Sequence, residues 1–399
     1  MINYNDIFLK ELEKIKAENR YRNFMELIRD ASNFPFAKYE VTNKTVTLWC
    51  INDYLGMSAH PKVINAAIEA LKAMGVGSGG TRNICGSHSL IGELEQSLAI
   101  LHDKAKALVF TSGYVANEAT LSTLAKIIPN LVFFSDEANH ASIISGIRHS
   151  GAEKYIYKHN DTNSLKTLLS SVDINRPKVI VFESVYSMNG LVSPIEEICK
   201  LAKEFSALTY LDEVHSVGLY GNKGGGIAQE LGLSDIIDII QGTLAKGFGA
   251  IGGYIAANNV IIDSVRSVAS GFIFTTSIPP AIAAASIASI NHLMTSQQER
   301  NRHQQIIQKT KSALLKAGIK FIENTSHIIA IIIGEAKLAK QISETLLNEH
   351  NIYIQHINFP TVPRGTERLR ITPTPFHSEE MIEELVNKLS QTMKLYNLL

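Results

Sequence analysis

Between about residues 107 and 257 the sequence alternates short apolar, β-branched runs with helical segments. The runs are ALVFTS, NLVFFSD, KYIYKH, KVIVFES, ALTYLDE, DIIQGT and GGYIAA. Strands that recur between helices form βαβ units, in which the strands lie parallel and are buried on both faces. The pattern therefore predicts an α/β fold with a sheet of about seven mostly parallel strands.

The segments on either side predict the rest of the organisation. Residues 5–30 predict an amphipathic helix, because four apolar residues recur near helical spacing: Ile7, Phe8, Leu12 and Ile15. Beyond about residue 290, longer helices accompany three separated strands, HIIAIII, IYIQHI and RLRITPT. We expect an N-terminal helix and strand segment (1–50), a large α/β domain (51–290) and a small C-terminal α+β domain (291–399).

Composition excludes several classes of function. The chain carries 38 basic and 38 acidic side chains, so no net charge draws it to nucleic acid or to an anionic membrane. Its apolar runs are far shorter than the ~20 residues that span a bilayer. Three cysteines without a Cys-x-x-Cys pair fit a reduced compartment, and the first residues lack the pattern of an export signal. We expect a cytoplasmic protein that binds neither nucleic acid nor membrane.

The stretch GVGSGGTRNICG at 75–86 contains the pattern G-x-G-x-x-G. A dinucleotide-binding turn needs a strand before the first glycine and a helix after the third. Here the preceding segment, 60–74, has helical periodicity, and Gly75 is predicted to end that helix in the left-handed conformation. The residues after the third glycine are turn-like. The sequence disfavours nucleotide binding, and a flexible glycine-rich loop is the ordinary alternative.

Polar residues just after the strands are the candidates for function, because ligands bind at the carboxyl ends of the strands in such sheets. Asp212 ends one strand, and Lys246 comes after the next among small residues. Alone, Asp212 is explained by a helix cap or salt bridge, and Lys246 by an ordinary surface lysine. Together they match what pyridoxal phosphate (PLP) requires: a Schiff-base lysine and a carboxylate that keeps the pyridine nitrogen protonated.

Two further segments fit this cofactor. TSGYVANEATL (111–121) predicts a strand, a turn at Ser112 and a helix whose free N–H groups hold a phosphate. SDEANHAS (135–142) places His140 after another strand, where an imidazole can stack on the cofactor ring. Ser112 as a turn former and His140 as a helix-start residue near Asp136 stay open as alternatives. The chain has no P-loop, G-x-S-x-G, H-E-x-x-H or zinc-type cysteine pairs, so no metal site is predicted.

These motifs, in this order, resemble the α-oxoamine synthases, fold-type-I PLP enzymes that condense an amino acid with an acyl-CoA. The resemblance covers nearly the whole chain and rests on TLAKGFGAIGGY, LDEVHSVGLYG, SDEANHASII and FESVYSMNG. Within the family, RYRNF, NDYLGMSAHP, GSGGTRNI, GFIFTTSIPP and NFPTVPRGTERLRITPTP are most similar to members that use glycine and succinyl-CoA. Relatives of the biotin and threonine pathways carry other residues where this chain has Thr81-Arg82-Asn83.

The resemblance implies a role for each residue near the cofactor. Lys246 would form the Schiff base and act as acid and base at the glycine α-carbon. Asp212 would pair with the pyridine nitrogen. His140 would stack on the ring and help to protonate an intermediate. The other expected cofactor contacts, to the phenolic oxygen and the phosphate, are Ser187, His215, Ser112, Gly113, Tyr114 and Thr243, with Thr276 and Ser277 from a second subunit.

The resemblance also implies a substrate site and a homodimer with active sites at the subunit interface. Arg370 would hold the glycine carboxylate, with Asn52 beside it. Thr81 would limit the space beside the amino acid. Residues expected along the succinyl arm and at its carboxylate are Arg22, Asn83, Ile84 and Thr361. A planar guanidinium grips a carboxylate bidentately, so two arginines suit two carboxylate substrates. The chain has no Cys-Pro dipeptide, which favours a bacterial-type form.

Three alternatives stay open. A sister synthase of the glycine C-acetyltransferase or 8-amino-7-oxononanoate synthase type would use another acyl-CoA or amino acid. A nicotinamide-dependent dehydrogenase would use residues 75–80. A non-catalytic paralogue would serve as a partner subunit, although such subunits commonly lose the Schiff-base lysine that this chain has.

Overall fold

The computed structural model describes residues 2–399, which form two compact units. One unit comprises residues 52–187 and 191–301. The other comprises the described residues up to 51, together with 188–190 and 302–399. The N-terminal segment and the C-terminal region therefore belong to the same unit. The three-part division at residues 50 and 290 remains a prediction.

The described residues contain fourteen α-helices and fourteen strands. The helices are α1 Tyr4–Ala17, α2 Pro61–Met74, α3 Ser89–Leu101, α4 Gly113–Ile127, α5 Ala141–Ser150, α6 Thr162–Ser170, α7 Ile195–Glu204, α8 Ile227–Glu230, α9 Asn259–Val268, α10 Ser270–Ile273, α11 Pro280–Thr295, α12 Gln298–Lys316, α13 Ala336–His350 and α14 Glu379–Leu395. The strands are β1 Leu27–Arg29, β2 Phe36–Tyr39, β3 Lys44–Leu48, β4 Lys106–Phe110, β5 Val132–Asp136, β6 Glu153–Tyr157, β7 Lys178–Glu183, β8 Ala207–Asp212, β9 Ile239–Thr243, β10 Gly253–Ala257, β11 Ile329–Ile332, β12 Ile352–Tyr353, β13 His356–Ile357 and β14 Arg368–Ile371. Among these residues no helix is both long and apolar enough to cross a bilayer.

A seven-stranded sheet forms the centre of the unit built from residues 52–187 and 191–301. Its strand order is β4-β10-β9-β8-β7-β5-β6. Strand β10 is antiparallel to both of its neighbours, and the other adjacent pairs are parallel. All seven predicted runs are strands of this sheet, so the predicted α/β class is confirmed. Because β8 and β9 are parallel neighbours, Asp212 and Thr243 end at the same edge.

Burial of apolar side chains fixes helices on this sheet. Leu121 and Leu124 of α4 and Ile143 and Ile147 of α5 pack with strand residues such as Val181 in one buried cluster. Burying a leucine or isoleucine completely contributes ~1.5–3 kcal/mol. The first turns of α4 and α5 are thereby held at the edge where β8 and β9 end.

The other unit contains two small sheets, ordered β1-β2-β3-β12 and β11-β14-β13. The run IYIQHI, predicted as one strand, forms two. Its first half, β12, pairs in parallel with β3, whereas β13 pairs antiparallel with β14. Trp49 and the α13 and α14 residues Ile342 and Leu385 pack in one buried core with these strands.

The predicted helix over residues 5–30 is wrong beyond Ala17. Helix α1 ends there because Asn19 takes a positive φ of 53°, and residues 27–29 pair antiparallel with β2 instead. The helical spacing of apolar residues in this region stops at Ile15, and it does not predict structure beyond that point. Within α1 no residue is buried.

The glycine-rich stretch comes after a helix, as predicted, and not after a strand. Helix α2 ends at Met74, and Gly75 has φ 80° and ψ −173°, a positive φ that favours glycine but lies outside the left-handed helical region. Gly75 therefore has the positive φ that a left-handed cap requires, but its ψ is not that of a left-handed residue, and the predicted left-handed cap is wrong. The N–H groups of Ile84 and Gly86 donate to the carbonyl of Thr81, which closes a turn. This geometry differs from a dinucleotide-binding turn, in which a strand precedes the glycines.

Candidate active site

A cavity of about 120 Å³ lies at the carboxyl ends of β8 and β9. It lies where the sequence predicted a ligand, because the free ends of parallel strands and the N-termini of the helices after them face it. Its lining residues are Gly113, Tyr114, Asn117, His140, Ser142, Glu183, Asp212, Val214, His215, Thr243 and Lys246. Seven of these eleven residues were predicted from the sequence to bind PLP or to act with it.

Lys246 reaches the cavity from a tight turn after β9. The turn is closed by the N–H of Gly249 donating to the Lys246 carbonyl and by that of Leu244 donating to Gly252. A Cβ on Gly247 would collide with the carbonyl oxygen of Val217. The small residue after the lysine is thus required because two loops of this unit approach each other closely.

Asp212 ends β8 and is almost completely buried, with 3% of its surface exposed. Its Oδ2 accepts from Asn117 Nδ2 at 2.8 Å, and its Oδ1 accepts from the N–H of Val214 at 2.8 Å. Burial raises the pKa of Asp212, and the hydrogen bonds from Asn117 and Val214 oppose that rise. A buried carboxylate at the cavity wall provides a site for a cation such as a protonated ring nitrogen.

His215 connects Lys246 to a tyrosine. Lys246 Nζ lies 3.2 Å from His215 Nε2, and His215 Nδ1 lies 2.8 Å from the Tyr54 hydroxyl. The Tyr54 hydroxyl donates to Asn52 Oδ1 at 3.2 Å, which leaves its oxygen to accept from His215 Nδ1–H. His215 Nε2 is then the acceptor that faces the lysine amine. Tyr54 was missed in the sequence because an aromatic residue in a loop gives no signal of its own.

The first turn of α4 also borders the cavity. Ser112 caps this helix, because its Oγ accepts from the N–H of Val115 at 3.1 Å. Gly113 and Tyr114 line the cavity, and first-turn N–H groups have no partner inside a helix. Thr243 also lines it and donates to the carbonyl of Gly252. The end of a helix with a hydroxyl beside it suits a phosphate. Ser112 thus lies in the turn before α4, which was the alternative explanation given for it above. It also caps the helix that borders this candidate anion site.

Several predicted residues of this unit lie outside the cavity lining. Ser187 is buried and lies beyond the end of β7. Thr276 and Ser277 line a separate cleft beside Arg82 and Phe110, and the backbone of Ser277 donates to Gly80. Four others are half-buried or exposed: Thr81, Asn83 and Ile84 in the 75–86 turn, and Asn52 just after β3.

The remaining predicted substrate residues belong to the other unit. Arg22 and Thr361 line a cavity of about 340 Å³, and Arg22 Nη2 lies 3.4 Å from Thr361 Oγ1. Arg370 is buried on β14, opposite Ala330 of β11. Arg22 and Thr361, from opposite ends of the sequence, thus meet in one cavity.

Comparison with known proteins places this architecture in a family. The sequence matches the aminotransferase class I and II family over residues 44–389. It is 60% identical to 5-aminolevulinate synthase of Rickettsia bellii, over 99% of this chain and 95% of that protein. It is 51% identical to 5-aminolevulinate synthase of Bradyrhizobium diazoefficiens, over 98% and 96%. The chain belongs to the 5-aminolevulinate synthase family.

A solved structure supports the same conclusion for the fold and the cofactor. The fold superimposes on a high-resolution structure of SPT with PLP at a TM-score of 0.91, with 29% identity over 99% of this chain and 98% of that one. The protein is thus a PLP-dependent transferase of fold type I, as the sequence predicted. Its cavity fits the cofactor: an amine, a buried carboxylate and a helix N-terminus border one space.

In this member of the 5-aminolevulinate synthase family, four cavity residues went unpredicted: Asn117, Ser142, Glu183 and Val214. Two had a signal in the sequence. Glu183 ends β7 at the same edge as Asp212, and Asn117 lies one turn after Gly113 on the buried face of α4, where most of its neighbours are alanine or leucine. Burial raises the pKa of Glu183 well above its usual range, and the nearby Asp212 adds to that rise.

One cluster among residues 2–399 has the composition of a metal site: His60, His292 and Glu299. Its atoms already pair with protein groups. His292 Nε2 donates to Glu299 at 2.7 Å, and Lys62 Nζ lies 3.5 Å from His292 Nδ1. His60 Nδ1 accepts from the N–H of Lys62. These contacts form a cluster of hydrogen-bonded polar side chains at the start of α2 and the end of α11.

Proposed function

We propose that the chain catalyses the decarboxylative condensation of glycine with succinyl-CoA. The products are 5-aminolevulinate, coenzyme A and carbon dioxide, and the reaction is the first step of tetrapyrrole (haem) synthesis. The observation that carries this proposal is the meeting of Lys246 and Asp212 in one cavity of a chain 60% identical to a 5-aminolevulinate synthase. The Arg22–Thr361 contact supports succinyl-CoA as the acyl donor.

PLP, when bound, provides an electron sink for a carbanion at the glycine α-carbon. Asp212 holds the ring nitrogen protonated, and its burial makes that ion pair strong because little water screens it. Lys246 would hold the cofactor covalently through Nζ. The same nitrogen would be the base that takes the glycine α-proton and the acid that returns one. His215, 3.2 Å from that nitrogen, orients the amine.

The two substrate carboxylates go to two arginines. Arg370 receives the glycine carboxylate. Arg22, with Thr361, receives the far carboxylate of the succinyl group, and a guanidinium binds such a group more tightly than it would an apolar acyl end. Thr81 limits the space beside the glycine α-carbon, and Ile84 borders the succinyl arm.

We propose that the active unit is a homodimer. Exposed apolar side chains on α1, such as Phe8 at 67% and Ile7 at 56%, support a partner surface. Thr276 and Ser277 line a cleft distinct from the Lys246 cavity of their own chain, which supports their contribution to the site of a second subunit. We place the protein in the cytoplasm, an assignment that its three free cysteines support.

A steady-state assay of the purified protein with PLP tests this function. We expect 5-aminolevulinate from glycine and succinyl-CoA, and values of kcat/KM at least roughly tenfold lower with alanine, acetyl-CoA or pimeloyl-CoA. Equal turnover of alanine, acetyl-CoA or pimeloyl-CoA would replace the proposal with a sister synthase. Lys246→Ala serves as the inactive control.

A further inference from the structure

A chain of buried hydrogen bonds joins Asp212 to His140. Asn117 Nδ2 donates to Asp212 Oδ2 at 2.8 Å and to Ser142 Oγ at 3.0 Å. Ser142 Oγ lies 2.8 Å from His140 Nδ1. Asn117 and Ser142 are each only 1% exposed. The two linking side chains therefore contact the two cofactor residues from inside the protein.

The direction of each hydrogen bond is set by its donors. The Tyr210 hydroxyl donates to Asn117 Oδ1 at 2.8 Å, which fixes the orientation of the amide. Both amide hydrogens of Asn117 then go to Asp212 and Ser142. Because Ser142 Oγ accepts from Asn117, its own hydrogen is left for His140 Nδ1, which also accepts from the Ser142 backbone N–H at 3.2 Å.

We propose that Asn117 and Ser142 are positioning residues that fix His140 as the neutral imidazole with its hydrogen on Nε2, while the same amide orients the Asp212 carboxylate. Nδ1 receives two donors and so carries no hydrogen. The Nε2–H is the hydrogen that His140 presents outside this network. The Asn117 side chain thus fixes the orientation of the Asp212 carboxylate and, through Ser142, the tautomer of His140.

A second anchor holds the backbone of the same histidine. The N–H of His140 donates to Glu183 Oε1 at 2.6 Å, and the neighbouring Asn139 Nδ2 donates to the carbonyl of Val181 at 2.8 Å. Both acceptors belong to β7. His140 also begins helix α5 as its N-cap. Its ring is thus held at the backbone by a strand and at Nδ1 by the Asn117–Ser142 pair.

Nitrogen-15 NMR of the holoenzyme labelled at histidine tests the tautomer directly. The His140 resonances are identified by their loss in His140→Asn. We expect a pyridine-type shift at Nδ1 and a pyrrole-type shift at Nε2 at neutral pH. In Ser142→Ala the two shifts should move towards each other, and Ser145→Ala on the same helix should leave them unchanged. Hydrogen on Nδ1, an imidazolium, or no change in Ser142→Ala would overturn the proposal.

PLP affinity tests the other end of the network. We expect Asn117→Ala to weaken PLP binding by roughly tenfold or more, since it removes a hydrogen bond to a charged carboxylate, and Ser142→Ala to weaken it less. If Asn117→Ala does not fold, the near-isosteric Asn117→Asp takes its place. An affinity within twofold of wild type in a folded Asn117 variant would overturn the orienting role.

The inference rests on the proposed roles of Asp212 and His140. Both measurements are made without glycine or succinyl-CoA. A wrong substrate assignment would therefore leave the expected shifts and affinities in place, whereas a wrong network would alter them even in an active enzyme.

Discussion

Arg22 Nη2 lies 3.4 Å from Thr361 Oγ1, although 339 positions separate the two residues in the sequence. The pair lines one cavity of about 340 Å³. A guanidinium beside a hydroxyl presents several donors to one carboxylate. This contact supports a binding site for the far carboxylate of succinyl-CoA, and it makes the two substrate arginines separable by experiment.

Substitution of the two arginines should affect different substrates. We expect Arg22→Ala to raise the KM for succinyl-CoA by roughly 10- to 100-fold, because a charged hydrogen-bonding partner is lost, and to leave the KM for glycine nearly unchanged. Arg370→Lys should raise the KM for glycine instead, because a lysine keeps the charge but not the planar fork. Initial-rate measurements with each substrate varied in turn provide both values.

Two matched variants check that result. Thr361→Val should raise the KM for succinyl-CoA less than Arg22→Ala does, since it removes a neutral hydroxyl only. Arg29→Ala, on exposed β1, should change neither KM. If Arg22→Ala raised both KM values equally, Arg22 would not be specific for the succinyl carboxylate.

Lys246 should be the residue to which PLP attaches. Borohydride reduction and then peptide mass spectrometry are expected to place the cofactor mass on the peptide that contains Lys246. We expect Lys246→Ala to lose this label and roughly 10²–10⁴-fold of kcat, because the variant lacks the acid and base at the α-carbon. The half-buried Lys223, paired with Asp103 at 2.7 Å, provides a control in Lys223→Ala. Label on another lysine of the wild-type protein would contradict the assignment.

Two buried histidines should make stability depend on pH. Burial lowers the pKa of His102 from 6.5 to about 3 and that of His303 to about 4. The unfolded chain takes up a proton below pH 6.5, whereas the folded chain does so only near these lower values. The free energy of unfolding should therefore fall between pH 6.5 and pH 4, by up to about 1.4 kcal/mol per pH unit for each histidine.

Urea unfolding at pH 7.5, 6.5 and 5.5 measures that slope. His102→Gln removes one titrating group, and we expect its stability to fall less steeply with decreasing pH, although the loss of the His102–Tyr254 hydrogen bond at 2.8 Å lowers it at every pH. An identical slope in wild type and variant would show that His102 does not contribute to the pH dependence.

The exposed face of α1 should contribute to dimerisation. We expect the wild-type protein to be a dimer in light scattering coupled to size-exclusion chromatography. The double variant Phe8→Glu and Leu12→Glu should shift it towards monomer and lower its activity, because two charges replace apolar side chains at the proposed partner surface. Leu315→Glu, also exposed but on α12, should have no such effect. A fully active wild-type monomer would contradict the proposed interface.

The class of the fold and the seven strands of its main sheet were predictable from the sequence. Most of the seven runs between 107 and 257 are continuous in apolar residues because the sheet is covered on both faces. Asp212 and Lys246 were identifiable for the same reason: polar residues that end such runs emerge at the carboxyl edge of the sheet. The helical period of residues 60–74 likewise argued against a nucleotide-binding turn.

Local pattern was insufficient where long-range pairing decides the structure. The apolar spacing around Ile7 and Leu12 predicted a helix that continued to residue 30, yet Leu27 and its neighbours pair with β2. The run IYIQHI was divided between two sheets by partners far along the chain. Neither pairing can be predicted from the residues of the short segment alone.

By itself the sequence determined which residue types lie at the strand ends, and hence the family and the cofactor, because periodicity and motif order are properties of the chain. Only the tertiary structure decided which groups meet. Asn117 on α4, Asp212 at the end of β8 and Ser142 on α5 come within hydrogen-bond distance because the helices pack on the sheet. Hydrogen bonds act over about 3 Å, so contacts between distant segments depend on that packing and not on spacing along the chain.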